Sequence, residues 1–468
     1  MSTAVLAQPG ARAAAPRPPL FAITWPLFTE LLLGISVGLA GLWMASRVSD
    51  AASGAFAMVN HLQAAFFILF RIISMGVSVV ITQNLGAGNR AAADETARVS
   101  LAASTWLGLL TGCTLLAGAP WLLQWMNTPA ELMPLAVPFL QMAALALVLD
   151  AYNATMASVM RAHLHARDTL LNMVAMHTLH LLLCIPLMGG VGPLPGLGLV
   201  GFALAMALSR AFGLGLHLVL WRWRLQLVPT ARDWWVMHWK PLAPVLHIGL
   251  PGGTETIAYR LALMVSIAVV ARMGATELAV HSYTMQVMYF ILLFGLAIGF
   301  AAEILVGHLI GSARLHEAHA LVRKSLFLGL GVSTGAALVA ALGAPWYLRL
   351  FTQDEAIIAS AVLLLWLTVL LEPGRTFNLV VINALRATGD ARFPVAAGIV
   401  SMVVVLAGGS WFFGVHLGWG LPGVWIAYAL DEWIRGLAMA ARWWGHGWVR
   451  HARATHRRVV RERQPVGS

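Results

Sequence analysis

The sequence predicts an all-α integral membrane protein of twelve transmembrane helices in two pseudo-symmetric six-helix lobes. Three observations predict it: long apolar runs almost free of charge, basic residues gathered in alternate loops, and a repeat of the chain against itself.

Of the 468 residues, 59% are hydrophobic and only 10% are charged, against about 25% charged in a soluble domain. The mean hydropathy is +0.78. A water-soluble fold of this composition would expose large apolar patches; a lipid-embedded one would not. Runs long enough to span occur near 20–46, 54–84, 97–118, 133–158, 169–189, 197–221, 244–271, 278–309, 322–344, 356–385, 393–415 and 420–446. Each reaches the ~20 residues a bilayer crossing needs, and the longer ones imply tilt or ends that protrude into water. Residues 1–19 are rich in Ala, Pro and Arg, with no apolar stretch ahead of a small-residue cleavage site. They read as a short disordered cytoplasmic tail rather than a signal peptide.

The net charge is +11. The bases sit in short loops between apolar runs, which points to membrane topology and not to nucleic acid. Of the 30 Lys and Arg, 22 lie in the two tails and alternate loops, from Arg12 and Arg17 to Arg461 and Arg463. The opposite loops hold only Arg47, Arg272 and Arg349, and five arginines (Arg71, Arg210, Arg260, Arg375 and Arg435) lie within spans. This asymmetry places both termini in the cytoplasm of a bacterial inner membrane, which requires an even number of spans.

Shifted by 225 residues, the sequence matches itself without a gap: Pro26 on Pro251, Glu30 on Glu255, Gly86 on Gly311, Asn153 on Asn378, Arg161 on Arg386 and Arg210 on Arg435. Gly118-Ala119-Pro120-Trp121 falls on Gly343-Ala344-Pro345-Trp346. Six spans per repeat make a parallel repeat, with the substrate site expected between the halves. The division is then a lobe over 20–221, a cytoplasmic linker over 222–243, a second lobe over 244–446 and a basic cytoplasmic tail over 447–468.

Several segments carry a family resemblance. Each half opens with an early proline, at Trp25-Pro26 and Gly249-Leu250-Pro251; each second helix ends in a Gln/His-x-x-Gly turn, Gln83 to Gly86 and His308 to Gly311. The tenth span ends Asn383-Ala384-Leu385-Arg386-Ala387-Thr388-Gly389-Asp390, and the twelfth contains Gly420-Leu421-Pro422-Gly423-Val424-Trp425. Over about residues 20 to 446 the chain resembles the multidrug and toxic compound extrusion (MATE) family. The resemblance implies two lobes around a central cleft. It also implies a secondary active transporter that exports organic, cationic or aromatic compounds by proton or sodium antiport, with no cofactor beyond the coupling ion. Relatives often carry an acid in the outer part of the first helix, and the aligned place holds Gly41 or a neighbour.

Ionisable groups inside a bilayer are costly and are functional candidates by default. Glu30 and Glu255 lie about ten residues into the first helix of each half, roughly 15 Å deep. They read as a symmetric pair of cation- or proton-coupling carboxylates, or as helix-end acids bonded to Thr29, Thr254 or nearby donors. Glu372, beside Pro373 in the tenth span, is the third coupling candidate; Arg375, three residues on, is positioned to neutralise it. Asp431, Glu432 and Arg435 read as an internally paired polar patch at i, i+3 and i+4. Asp150 has Arg71 and Arg260 as candidate partners across helices, between which the sequence does not choose, and Glu303 is expected to lie at the interface. Tyr259, Tyr283, Met288, Tyr289, Asn378 and Arg260 are candidate substrate contacts, because aromatic faces hold flat or cationic compounds and Met adapts to varied ones.

His61, His177, His180, His217, His281 and His308 sit in apolar runs, and their titration near neutral pH makes them proton-relay candidates. His177 and His180 share a helix face but have no acidic partner at ligand spacing, so a relay suits them better than a metal. Cys113 and Cys184 read as inert helix residues. Trp106, Trp121, Trp125, Trp346, Trp411 and Trp419 fall near span ends, where an interfacial belt is expected. A membrane enzyme is disfavoured, since the chain has no P-loop, His-Glu-x-x-His or Gly-x-Ser-x-Gly motif. The rival reading is a flippase or exporter of an anionic or lipid-linked substrate, suggested by the in-span arginines. The expected partners are a small-molecule substrate and membrane lipids, with the protein a monomer.

Overall fold

The computed structural model describes residues 18–191, 194–350 and 352–463. The tail expected over 1–19 therefore lies almost wholly outside the described residues, as do Arg12, Arg17 and the last five residues of the basic tail.

The helices follow the apolar runs. They are α1 (Leu20–Val48), α2 (Asp50–Gly86), α3 (Arg90–Trp125), α4 (Met133–Ala162), α5 (Ala166–Gly189) and α6 (Gly198–Leu220). A linker with a single 3₁₀ turn, Ala231–Trp234, leads to α7 (Trp239–Ala271), α8 (Ala275–Gly311), α9 (Leu315–Tyr347) and α10 (Glu355–Thr388). The next span, α11, runs over Arg392–His416, and two of its stretches, Met402–Gly408 and Phe412–His416, widen to π-helix. Two more helices follow, α12 (Gly420–Trp444) and α13 (Gly447–Arg463). Besides the helices, the described residues hold one two-residue hairpin, Gly190–Val191 with Leu194–Pro195.

Among the described residues, eleven helices are long and apolar enough to cross a membrane. Asp431, Glu432 and Arg435 keep α12 out of that set, because three charges in its middle lower its apolarity. The protein is nonetheless an all-α membrane protein of about twelve spanning helices. Both α2 and α8 have 37 residues. At 1.5 Å per residue such a helix is about 55 Å long and outruns the ~30 Å hydrocarbon layer. The tryptophans expected at an interface, Trp106, Trp121, Trp125, Trp346, Trp411 and Trp419, are all exposed. Leu110, Ile185, Leu261 and Val339 are exposed too, as side chains facing lipid must be.

The described chain folds as two compact units. One holds α1 as far as Phe28, the segment Thr82–Asn89, and everything from Leu250 onward. The other holds Thr29–Ile81 and Arg90–Gly249. Each repeat's first helix thus changes unit close to its early proline, α1 after Phe28 and α7 after Gly249, which the sequence pattern does not reveal. The second unit's core stacks Phe56 on Phe139 with Phe202 edge-on to both. The first unit's core gathers Trp425, Tyr428, Met285 and Met288.

The basic tail is a helix. Trp448, Val449, Ala452, Thr455 and Val459 of α13 are buried, at the 3- and 4-residue spacing of one helix face. Arg450, Arg457 and Arg461 occupy the opposite face.

Candidate functional site

The densest group of charges lies in the Leu250–Ser468 unit, between α10 and α12. Glu372, Arg375 and Asn378 recur every three residues on one face of α10. Tyr428, Asp431, Glu432 and Arg435 share a face of α12 at i, i+3, i+4 and i+7. Arg375 Nη1 lies 2.5 Å from Glu372 Oε1 and its Nε 3.2 Å from Glu432 Oε1. Asn378 Nδ2 donates to Glu432 Oε2 at 3.0 Å. Arg435 Nη2 then joins Glu432 at 3.2 Å and Asp431 at 2.6 Å. Ser401 of α11 donates to the other Asp431 oxygen at 2.7 Å. The Arg435 guanidinium lies over the Tyr259 ring, 5.7 Å from its centroid, and Arg375 Nη2 is 3.4 Å from the Met288 sulfur.

All five charged residues are at most 6% exposed. Ions stripped of water are tolerable only when paired and hydrogen-bonded, and every one of these has such partners. Fully ionised, three carboxylates face two guanidinium groups. One negative charge is left over, so the network can accept one proton.

A second polar chain touches the same helix one turn away. The hydroxyls of Ser266, Ser410 and Tyr428 meet at 2.9 and 2.8 Å, and His281 Nε2 lies 3.1 Å from the Tyr428 hydroxyl. Neither Ser266 nor Ser410 is marked by charge or motif in the sequence, so sequence reasoning had no signal for them.

The other unit carries the matching positions with different chemistry. Asp150 pairs with Arg210 at 2.8 Å; Arg210 lies on the neighbouring α6 and was not among the candidate partners. Asn153 donates to the Arg210 carbonyl at 3.0 Å. His217 bridges Asn153 at 3.1 Å and Asn172 at 2.7 Å.

Glu30 and Glu255 each have an arginine partner in their own unit. Arg161 Nη1 is 3.0 Å from Glu30 Oε2, and Thr169 donates to its other oxygen at 2.5 Å. Arg386 Nη2 is 2.5 Å from Glu255. The two pairs are one pair repeated, since both acids and both arginines are 225 residues apart. That offset was the signal from which they could have been found.

Of the expected substrate contacts, Tyr259, Met288 and Asn378 meet at the α10–α12 network. Tyr283 packs against the apolar core around it. Arg260 and Tyr289 are exposed on α7 and α8. Glu303, expected at the interface, is buried at 5% exposure. Among the described residues no cluster of His, Cys, Asp and Glu suits a metal ion.

The family model MatE matches residues 26–185 and again residues 251–411, one copy in each repeat. The chain belongs to the MatE family. An uncharacterized transporter, YisQ of Bacillus subtilis (strain 168), is 34% identical over 435 residues, 93% of this chain and 96% of the relative. The probable multidrug resistance protein NorM of Idiomarina loihiensis is 25% identical over 224 residues, 45% of each chain. The solved structure of the Vibrio cholerae MATE transporter VcmN in the bent form shares the fold, with TM-score 0.82 at 18% identity over 93% of this chain and 97% of that one. This MatE protein is therefore a multi-pass inner-membrane transporter that exports compounds, not an enzyme.

One family feature is replaced by packing. A Cβ at Gly41 would lie 2.8 Å from the Phe56 ring and 2.9 Å from the Phe202 ring. Both aromatics belong to the core described above, so a larger side chain at Gly41 itself would have to displace them, whereas a Cβ at Gly38, one turn earlier, would meet nothing within 4 Å.

Proposed function

We propose that this MatE transporter is a proton-driven exporter of organic cations and aromatic compounds, with both termini cytoplasmic. The coupling proton binds the Glu372–Arg375–Glu432–Arg435–Asp431 network. The observation that carries this reading is the network's single surplus negative charge, held out of water between α10 and α12. Relatives that are probable multidrug resistance proteins support the substrate class.

A proton suits the network better than Na⁺. Asp431 and Glu432 already accept hydrogen bonds at both oxygens from Ser401, Asn378, Arg375 and Arg435. A sodium ion would have to displace several of these donors and sit beside two guanidinium groups. A proton adds to one oxygen and needs no cage. Its arrival neutralises the surplus charge and loosens one arginine, which is a differential contact of the kind that can shift a two-state transporter. Tyr259 and Met288, in contact with the same arginines, are the substrate-side groups most directly coupled to this change.

Glu30 and Glu255 take a different role in this proposal. Their arginine partners make them fixed ion pairs that position α1 on α4 and α7 on α10. The rival reading, an anionic or lipid-linked cargo, needs arginines free to bind it. Arg210, Arg375 and Arg435 are instead engaged by carboxylates.

The test is efflux of a fluorescent organic cation from proteoliposomes, with a proton gradient and a sodium gradient imposed separately. The proposal expects efflux under the proton gradient alone. Efflux that follows only the sodium gradient would overturn it.

A further inference from the structure

The helix α13 has no counterpart in the first repeat, because the position 225 residues before Gly447 is Arg222, at the start of the linker. It packs on a crossing of helices that does obey the repeat. A Cβ at Gly86 of α2 would lie 2.2 Å from the His308 carbonyl oxygen, and a Cβ at Gly311 of α8 would lie 2.0 Å from the Gln83 carbonyl oxygen. The positions 83 and 308, and 86 and 311, are related by the same offset. The last turn of α2 and the end of α8 thus meet backbone to backbone around a pseudo-two-fold axis, and glycine at both places permits the approach.

Onto this symmetric crossing α13 adds asymmetric bonds. Arg458 Nη2 donates to Gln83 Oε1 at 3.0 Å, and Gln83 Nε2 in turn donates to the Ala387 carbonyl of α10 at 2.8 Å. His456 Nδ1 donates to the Gly311 carbonyl at 2.8 Å. Thr455 donates to the Thr388 carbonyl at 3.0 Å, and Asn89 Nδ2 reaches the Val459 carbonyl at 3.4 Å. At its root, Trp448 stacks on Trp443 of α12 with centroids 4.3 Å apart. One short helix therefore ties the end of a first-repeat helix to the ends of two second-repeat helices.

We propose that α13 is a clamp on this end of the transporter. Its bonds hold the α2–α8 crossing shut, and their release is required when the two repeats part at that end during alternating access. The clamp is fixed to the second repeat through Trp443 and Trp448 and grips the first repeat through Gln83 and Asn89. Arg458 is the grip residue, because it is the charged donor in the chain Arg458–Gln83–Ala387 and such bonds are the stronger ones. The clamp rests on the alternating-access part of the function proposed above, but not on the identity of the ion or substrate.

The experiment follows opening directly. Cys113 and Cys184 are replaced by Ala, Ala384→Cys is introduced, and the full-length protein in nanodiscs is reacted with a maleimide. Ala384 is fully buried in α10 near the crossing, so the labelling rate reports how often this end opens. Neither gradient nor substrate is needed, so an error in the coupling proposal leaves this result unaffected. Arg458→Ala is expected to raise the rate about tenfold, the shift that follows loss of a charge-assisted hydrogen bond. Thr455→Val, nearly isosteric, is expected to raise it less, and Arg450→Ala on the opposite face not at all. If Arg458→Ala fails to fold, Thr455→Val carries the test alone. Equal rates in the parent, Arg458→Ala and Thr455→Val proteins would overturn the clamp, as would an equal rise in Arg450→Ala.

Discussion

The two repeats share a scaffold and differ in charge. Glu30–Arg161 and Glu255–Arg386 are the same ion pair, and Asn153 and Asn378 are the same amide. Where the second repeat carries Glu372, Asp431 and Glu432, the first carries Leu147, Met206 and Ala207. Where the second has Arg375, the first has Asp150. Arg210 and Arg435 are equivalent, yet Arg210 meets one carboxylate and Arg435 meets two. The first repeat's network is balanced, and the second keeps one surplus negative charge. The shared ion pairs therefore belong to the scaffold, and the proposed coupling role rests on Glu372, Asp431 and Glu432, acids which the first repeat lacks.

That contrast can be broken most sharply at Glu432, which joins Arg375, Arg435 and Asn378 at once. Glu432→Leu leaves two buried guanidinium groups short of a carboxylate and is expected to cost about 3–5 kcal/mol, read as loss of folded protein in a thermal melt. Asp150→Leu in the first repeat removes a single partner of Arg210 and should cost less. Equal losses would deny that the second network is the more highly connected.

The shared ion pairs make a prediction of equality. Glu30→Gln and Glu255→Gln should each lower stability by about 1.5–3 kcal/mol, the range for a hydrogen bond to a charged group. Transport per folded molecule should survive in both. Abolished transport in one variant at full stability would return that carboxylate to the coupling role first suggested for it.

Gly41→Asp asks whether the first repeat can regain an acid in its outer helix. The Phe56 and Phe202 rings stand in the way, and overpacking of this kind costs roughly 1–3 kcal/mol. A fully stable Gly41→Asp protein would show that the aromatic core yields more readily than its packing suggests.

The smallest effect distinguishes His163 from its counterpart Thr388. His163, in the turn after α4, bonds the Val159 carbonyl through Nδ1 at 2.9 Å. Desolvation holds its proton affinity below the ordinary value. The folded state thus prefers the neutral ring. This preference stabilises above the unfolded pKa of about 6.5 and is lost as pH falls below it. A thermal melt series from about pH 8 to about pH 5 should show a slightly steeper loss for the parent than for His163→Gln. Identical slopes would remove His163 from the account.

Much of the fold was legible because a bilayer writes its constraints plainly. Each span must be long and apolar, and arginine placement marks its sides. The positions of the spans, the repeat and the acidic character of α12 all follow from residues in order along the chain, although helices such as α3 (Arg90–Trp125) run several residues past the apolar run 97–118 that marks them. The partners of the charges were less legible. Glu372–Arg375 and Asp431–Arg435 lie within one helical turn, so spacing reveals them. Arg375–Glu432 and Asp150–Arg210 are made between helices, and sequence fixes no interhelical register. The crossing of α1 and α7 between units and the docking of α13 were hidden for a similar reason. Both depend on which surfaces meet, and a run such as Gly447 to Arg463 reads as a basic tail until its buried stripe of Trp448, Ala452, Thr455 and Val459 is seen against the helix ends.

The account rests on assigning proton coupling to the second repeat. The direct measurement is proton-driven efflux of a fluorescent organic cation from proteoliposomes carrying equal amounts of folded parent, Glu372→Gln or Asp150→Asn protein. The account predicts at least a tenfold loss of proton-driven efflux in Glu372→Gln and retention in Asp150→Asn. Retained efflux in Glu372→Gln together with its loss in Asp150→Asn would contradict it and move the coupling site to the first repeat.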